Sequence, residues 1–242
     1  MIVESGRGLG KPDDGERVRD GRSPWPLGYL LVAAGLLTTL LGVLAVAAAR
    51  TTPLPVDQVA HEWALAHRTA PAVAFALALS WTGTGLPAYA LAAVAGGLAY
   101  GRRWWIGAPA AVLALLAGQG VRLALSAGLD RPRPPRADWA TSAGGDSFPS
   151  GHTTTSAVVA ALLCVALASR LHGRRLRLAQ GVVLGWAVLV GLSRVYLGVH
   201  WLTDVIGGWL LAAALVVSAA AVLQVVTPRL PAAVRPPAPS SP

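Results

Sequence analysis

Lysine and cysteine are almost missing from these 242 residues: there is one of each, Lys11 and Cys164. A single cysteine excludes a disulfide framework and any site built from several thiolates, and its position inside an apolar run suits a small buried hydrophobe. Charge of either sign is scarce as well. Asp, Glu, Lys and Arg make up 13% of the chain, about half of the ~25% usual in soluble domains. A chain this poor in charge and 54% hydrophobic cannot dress a water-facing surface, and its long runs of Ala, Leu, Val and Gly read as an all-α, polytopic membrane protein with one compact domain. Basic residues outnumber acidic ones by 20 to 11. They sit in short loops between apolar spans and form no stripe interleaved with aromatics, which argues against nucleic acid as a partner.

The apolar runs predict a six-transmembrane-helix bundle over residues 27–227. Leu27 to Ala49 is a first span of 23 residues without a charge, too long for a signal peptide and sufficient to cross about 30 Å of hydrocarbon. Arg50 to Ala70 holds Asp57, His61, Glu62, His67 and Arg68 among apolar residues and predicts a short interfacial helix. Ala72 to Tyr100 is a second span, broken or kinked at Thr82-Gly83-Thr84-Gly85 and Pro87. Trp104 to Ala127, Thr153 to Ala168, Leu178 to Leu192 and Trp201 to Val226 complete the set. Residues 1–26, which mix both signs of charge, and the Pro-rich stretch from 228 to 242 are expected to be disordered tails.

Six spans put both termini on one side. That side collects thirteen of the basic residues, against seven on the other when Arg122 is counted there. The excess of Arg predicts cytoplasmic termini in a multi-pass protein of the cell membrane. Three polar clusters then fall together on the extracytoplasmic face. The loop after the third span reads Asp130-Arg131-Pro132-Arg133-Pro134-Pro135-Arg136; the fourth span opens with Pro149-Ser150-Gly151-His152; and Ser193-Arg194 is followed by His200 and Asp204 around the start of the sixth.

The chemistry of these clusters suits an anion. Arg131, Arg133 and Arg194 offer planar donors that match phosphate oxygens. Ser150, the Gly151 backbone and His152 stand at a predicted helix N-terminus, where free N–H groups and the helix dipole favour bound phosphate. On a helix the Asp204 carboxylate lies one turn from His200, where it can hold one ring nitrogen protonated and leave the other as a nucleophile. His152 is then available as general acid.

In this arrangement the chain resembles the type 2 phosphatidic acid phosphatase superfamily, whose members include membrane lipid phosphatases and soluble vanadium haloperoxidases. Of that family's three signatures, Pro-Ser-Gly-His is present unchanged at Pro149 to His152, and Ser-Arg, five residues, His, three residues, Asp is present unchanged from Ser193 to Asp204. The first, a Lys followed after six residues by Arg-Pro, is partial: Arg133-Pro134 supplies its end, but Ser126 stands where the Lys belongs, and the nearest basic residue is Arg122. The resemblance implies that His200 forms a phosphohistidine, that Asp204 orients it, and that His152 protonates the leaving group. It also implies that Arg133, Ser150, Gly151 and Arg194 hold the phosphate, without a metal or other cofactor. Arg131 and Arg122 are further phosphate-binding candidates.

Other polar residues read more plainly. Arg50, Arg68 and Arg136 are expected as interfacial anchors, Asp130, Asp138 and Asp146 as solvated loop charges, and His61 and His67 as interfacial. Gly207 and Gly208, like Gly96 and Gly97, are expected to permit close helix contact. Three functions stay open: a phosphatase acting on a polyprenyl diphosphate such as the undecaprenyl carrier of wall synthesis, which an outward-facing site ranks first, or on phosphatidic acid, phosphatidylglycerol phosphate or a polyprenyl phosphosugar; a phosphoryl transferase; and a non-catalytic binder or transporter of lipid phosphates. Nothing in the residues selects a head group or an oligomeric state.

Overall fold

The structure is a computed structural model that describes residues 26–49 and 53–226. The expected tails, Trp25 and Arg50 lie outside the described residues, Pro26 alone excepted. Among the described residues the regular elements are all helical. Helix α1 (Leu27–Ala48) follows Pro26 and carries no charge; its Thr38 and Thr39 hydroxyls return to the carbonyls of Ala34 and Gly35 one turn back, as an apolar medium demands. Helix α2 (Pro55–Ala66) is shorter than the interfacial helix expected over 50–70. Its faces are unlike: Asp57, His61 and Ala64 turn into the protein, while Val56, Val59 and Trp63 stay exposed on the other side. A polar face toward the bundle and an apolar face outward suit a helix lying along a membrane surface.

The expected broken span is two helices, α3 (Ala70–Thr82) and α4 (Gly85–Tyr100). Gly83 allows the break to pack on α7, since a Cβ there would collide with Val190. Gly85 opens α4 at φ +56, a conformation that favours glycine. The Trp186 indole donates to the Thr82 hydroxyl at 2.9 Å, so a polar partner meets the interruption. A three-residue turn at Gly101–Arg103 folds α4 back onto α5 (Trp104–Leu129). These two helices cross at Gly96 and Gly107, where any side chain would meet the opposite backbone.

Helices α6 (Gly151–Ala168), α7 (Gly173–Tyr196) and α8 (Leu202–Val226) follow. Helix α7 is longer at both ends than the predicted 178–192, because Arg174, Arg175, Arg177 and Arg194 continue it; arginine is a good helix former, and charged residues end an apolar run without ending a helix. Helix α6 sits centrally, touching α4, α5, α7 and α8, while α1 packs on α8 and α3 on α7. The core beneath the site joins Ala88 and Ala92 of α4, Leu115 of α5, Val158 and Val159 of α6, and Ala212 of α8.

Among the described residues five stretches are helical, long and apolar enough to cross a membrane: α1, the α4–α5 pair, α6, α7 and α8; α3 is apolar but has only 13 residues. The result is a membrane-type helical bundle. The ends of α5 and α7 and the starts of α6 and α8 gather at one end of it. There the Ser147 N–H donates to the Arg131 carbonyl (2.8 Å), that of Ala140 to Leu197 (2.9 Å), and that of Ser150 to Asp204 (3.0 Å).

Candidate active site

Site geometry begins at the first turn of α8. Asp204, its third residue, reaches back so that Oδ2 accepts the Trp201 N–H at 2.8 Å, half of a capping box. The same oxygen accepts from the Ser147 hydroxyl and faces His200 Nδ1 at 3.3 Å, while Oδ1 accepts from Arg131 Nη1. A carboxylate so engaged stays ionised and makes Nδ1 the protonated ring nitrogen of His200. Nε2 then carries the lone pair. It accepts from Arg133 Nη1 at 2.9 Å.

His200 lies in the turn between α7 and α8 and is 2% exposed. Burial first of all, with the nearby guanidiniums of Arg133 and Arg194, pushes its pKa down to about 4 against the opposing pull of Asp204. The ring is therefore neutral at pH 7, the state a nucleophile needs. Arg133 is clamped by carbonyls: Nε donates to Gly145 (2.9 Å), Nη1 to Val199 (2.7 Å), and Nη2 to Gly144 (2.9 Å) and Asp146 (3.0 Å). Two indoles secure the segment that carries it, Trp201 donating to the Pro132 carbonyl and Trp139 to that of Pro134, each at 2.9 Å. Burial lowers the Arg133 pKa, with Asp204 opposing and Arg122 adding to the effect.

Two more guanidiniums surround the same place. Arg194 donates through Nη1 to the Ser80 hydroxyl at 2.7 Å, which joins α3 to the site. Arg122, from α5, lies against Gly151: a Cβ on that glycine would stand 3.4 Å from Arg122 Nη1. The Nε groups of both arginines are buried donors without a hydrogen-bond partner among the described residues. Buried N–H groups are rarely left so, and here they converge with the start of α6, whose first N–H groups point out of the helix end. His152, in that first turn, is half-buried and close enough to His200 and to the guanidiniums of Arg194, Arg133 and Arg122 to interact with each of them. The structure thus brings together His152, His200, Asp204, Arg122, Arg133, Arg194 and Gly151.

Two candidates sit elsewhere in this geometry. Arg131 is 3% exposed and engaged by carboxylates, with Nη2 donating to Asp57 Oδ2 at 2.7 Å and Nη1 to both Asp204 and the Thr203 hydroxyl. It braces Asp204, a correction to its placement among the phosphate-facing arginines: anionic partners already occupy the guanidinium. The Ser150 side chain is fully buried and accepts from the Thr153 hydroxyl at 3.0 Å, so Ser150 shapes the start of α6 from behind. Gly207 and Gly208 make room for this corner. A Cβ on the first would collide with the Phe148 ring, and one on the second would stand 3.1 Å from the Ser150 carbonyl.

Other plain readings also change. His61 is buried and pairs through Nε2 with Asp138 Oδ2 at 3.0 Å, so neither residue is merely interfacial or solvated. Arg68 is a latch and not only an anchor, donating to the Asp138 carbonyl (2.6 Å) and the Tyr196 carbonyl (3.0 Å). Asp57 and Ser147 are the residues that motif spacing does not mark. The one signal for Asp57 was an acid four residues before His61, one helical turn away on the same face. Among the described residues no group of three or more His, Cys, Asp or Glu side chains could hold a metal ion.

Known proteins resemble this chain in sequence and in fold. The chain is 46% identical over 68 residues to phosphatidylglycerophosphatase B of Bacillus subtilis (strain 168), a match covering 26% of this chain and 32% of that protein. The matched stretch is thus about a third of the relative's length. In fold, the chain resembles the crystal structure of the first transmembrane PAP2-type phosphatidylglycerolphosphate phosphatase from Bacillus subtilis, with a TM-score of 0.68 and 24% identity over 83% of this chain and 98% of that one. It is also similar to Aquifex aeolicus LpxE, with a TM-score of 0.50 and 18% identity over 69% and 92% of the two chains. The PAP2 superfamily model matches residues 107–228, half of the chain and the part that carries α5 from Gly107 onward, α6 to α8 and all three polar clusters. The chain belongs to the PAP2 superfamily.

Proposed function

We propose that this chain is an integral membrane phosphatase that cleaves a phosphate monoester or diphosphate from a lipid, with His200 as its nucleophile. The observation that carries the reading is the setting of one imidazole. Its Nδ1 faces the Asp204 carboxylate, its Nε2 faces a guanidinium at 2.9 Å, and two more nearby arginines carry buried Nε donors without a hydrogen-bond partner among the described residues.

The chemistry follows from those positions. A phosphoryl oxygen takes over the Arg133 Nη1 hydrogen bond, and Arg122, Arg194 and the Gly151 N–H hold the remaining oxygens. The Nε2 lone pair attacks phosphorus in line with the lipid oxygen, and the P–O bond to the lipid breaks as the N–P bond forms. His152 gives its proton to the departing oxygen. Asp204 stabilises the ring as it becomes cationic. Water then attacks phosphorus, His152 takes back a proton, the N–P bond breaks, and phosphate leaves. Three guanidiniums around a pentacoordinate phosphorus supply the stabilisation of developing charge that preorganised donors give elsewhere.

The membrane reading is six crossings, with α3 and α4 together forming one and α5 another. Both termini are cytoplasmic and the site is extracytoplasmic, on the strength of the basic residues at the opposite end. The candidate substrates are a polyprenyl diphosphate, phosphatidic acid and phosphatidylglycerol phosphate; similarity to a phosphatidylglycerophosphatase supports the last. The test is phosphate release by purified protein in detergent from a panel of these lipids, alongside trapping of an acid-labile phosphoprotein. His200→Ala should abolish both signals, and near-normal turnover in that variant would end the proposal.

A further inference from the structure

A fully buried polar network lies behind the nucleophile. Asp57 of α2 is fully buried. Its Oδ1 accepts the Thr203 N–H at 2.8 Å, an N–H of the first turn of α8, and its Oδ2 accepts Arg131 Nη2 at 2.7 Å. The Thr203 hydroxyl joins all of them, donating to Asp57 and accepting from Arg131 Nη1 at 2.8 Å. The other side of the same guanidinium holds Asp204, and Asp204 holds His200. Two buried carboxylates therefore share one arginine.

Nothing in the phosphate chemistry above uses Asp57, yet a buried carboxylate is costly to maintain unless it is paired. We propose that Asp57 is a positioning residue for the nucleophile: through Arg131 it fixes both the orientation and the effective charge of the Asp204 carboxylate, and so ties the surface helix α2 to the reacting nitrogen. The inference rests on His200 being the nucleophile. The physical argument has two parts. A planar guanidinium held at one edge can pivot, and holding both of its nitrogens fixes the carboxylate beyond it. In addition, the Asp57–Arg131–Asp204 group carries one net negative charge facing a ring that becomes cationic on attack. Arg133, Arg194 and His152, the other charged or titratable groups around that ring, cannot oppose this cationic charge. Neutralising Asp57 would bring the group to zero charge at the moment the negative charge is needed.

Vanadate and phosphate separate this role from simple folding, because an inhibition constant does not depend on the fraction of active protein. Vanadate bonded to Nε2 imitates the five-coordinate transition state, while phosphate reports anion binding alone. In Asp57→Asn, kcat should fall at least tenfold, the vanadate inhibition constant should rise by a similar factor, and that for phosphate should stay within twofold. Thr203→Val, which removes the shared hydroxyl and leaves every charge, should shift vanadate in the same direction by two- to fivefold. This second variant decides the matter if Asp57→Asn does not fold. An unchanged vanadate constant in the folded variants would reduce Asp57 to a structural residue. Equal weakening of vanadate and phosphate would make it part of general anion binding; either result overturns the inference. Wild-type protein that vanadate does not inhibit would instead refute the histidine mechanism itself.

Discussion

Replacing Arg122 with alanine removes a guanidinium from the inner wall of the site while leaving both complete motifs untouched. Its Nε is buried without a partner, and its Nη1 lies beside Gly151 at the start of α6. A guanidinium in an apolar helix is costly unless an anion is expected there. At an effective dielectric of about 20 and a separation of about 5 Å, two unit charges interact by about 3 kcal/mol. Part of that is present in bound substrate and part is replaced by water in the variant, so about 1.4 to 2.8 kcal/mol should be lost from the transition state, or ten- to a hundredfold in rate. The assay is kcat/KM for phosphate release from a short-chain lipid phosphate, with thermal unfolding as the control for folding. Adding Ser126→Lys should restore part of the rate, since Ser126 is buried one turn nearer the end of α5 and its side chain faces into the bundle. Wild-type kinetics in Arg122→Ala would refute the reasoning and leave Arg133 and Arg194 to bind phosphate alone.

Chelators should leave turnover unchanged, because the charge stabilisation assigned here comes from arginines; activity lost in EDTA and regained with Mg²⁺ would count against it. His200, with a pKa pushed down to about 4 from an ordinary 6.5, binds its proton less readily folded than unfolded. Its contribution to stability is thus complete above about pH 6.5 and is lost as pH falls through about 4, so thermal unfolding temperature should drop over that window and drop less in His200→Ala. For orientation, in protein whose Cys164 has been replaced, Ser142→Cys should react with an impermeant thiol reagent added to intact cells and Arg175→Cys should not. The reverse pattern would place the site on the cytoplasmic face.

Which parts of this were readable in the residues has a physical basis. That His152, His200, Asp204 and Arg194 gather in one place was legible because they lie in short fixed spacings, one helical turn in the case of His200 and Asp204. The α3–α4 interruption was legible in Thr82-Gly83-Thr84-Gly85 for the same local reason. Asp57 was not, since its meaning lies in Arg131 and Thr203, which only the fold brings to it. Arg131 and Arg133 look equivalent in an Arg-Pro-Arg-Pro segment, yet one faces carboxylates and the other His200. His61 and Asp138 likewise become a pair only when the loop before α6 closes over α2. The extra turns of α7 were hidden because an apolar run marks where lipid ends and not where a helix does.

The hollow at Gly207, filled by the Phe148 ring, and the approach of Gly208 to the Ser150 carbonyl have a mechanical consequence. They lock the beginning of α6 to the beginning of α8 through a ring in a socket and a backbone hydrogen bond from Ser150 to Asp204. His152 rides on the first of these helices and Asp204 on the second, so the proposed proton donor and the carboxylate that faces His200 are held in one bracket. Thermal sway of the lipid-facing helices α1, α3 and α4 can then move around the bracket without changing the alignment within it. A bulkier residue at either glycine would introduce backlash between His152 and His200, and their alignment would lose its tolerance to the motion of the surrounding helices.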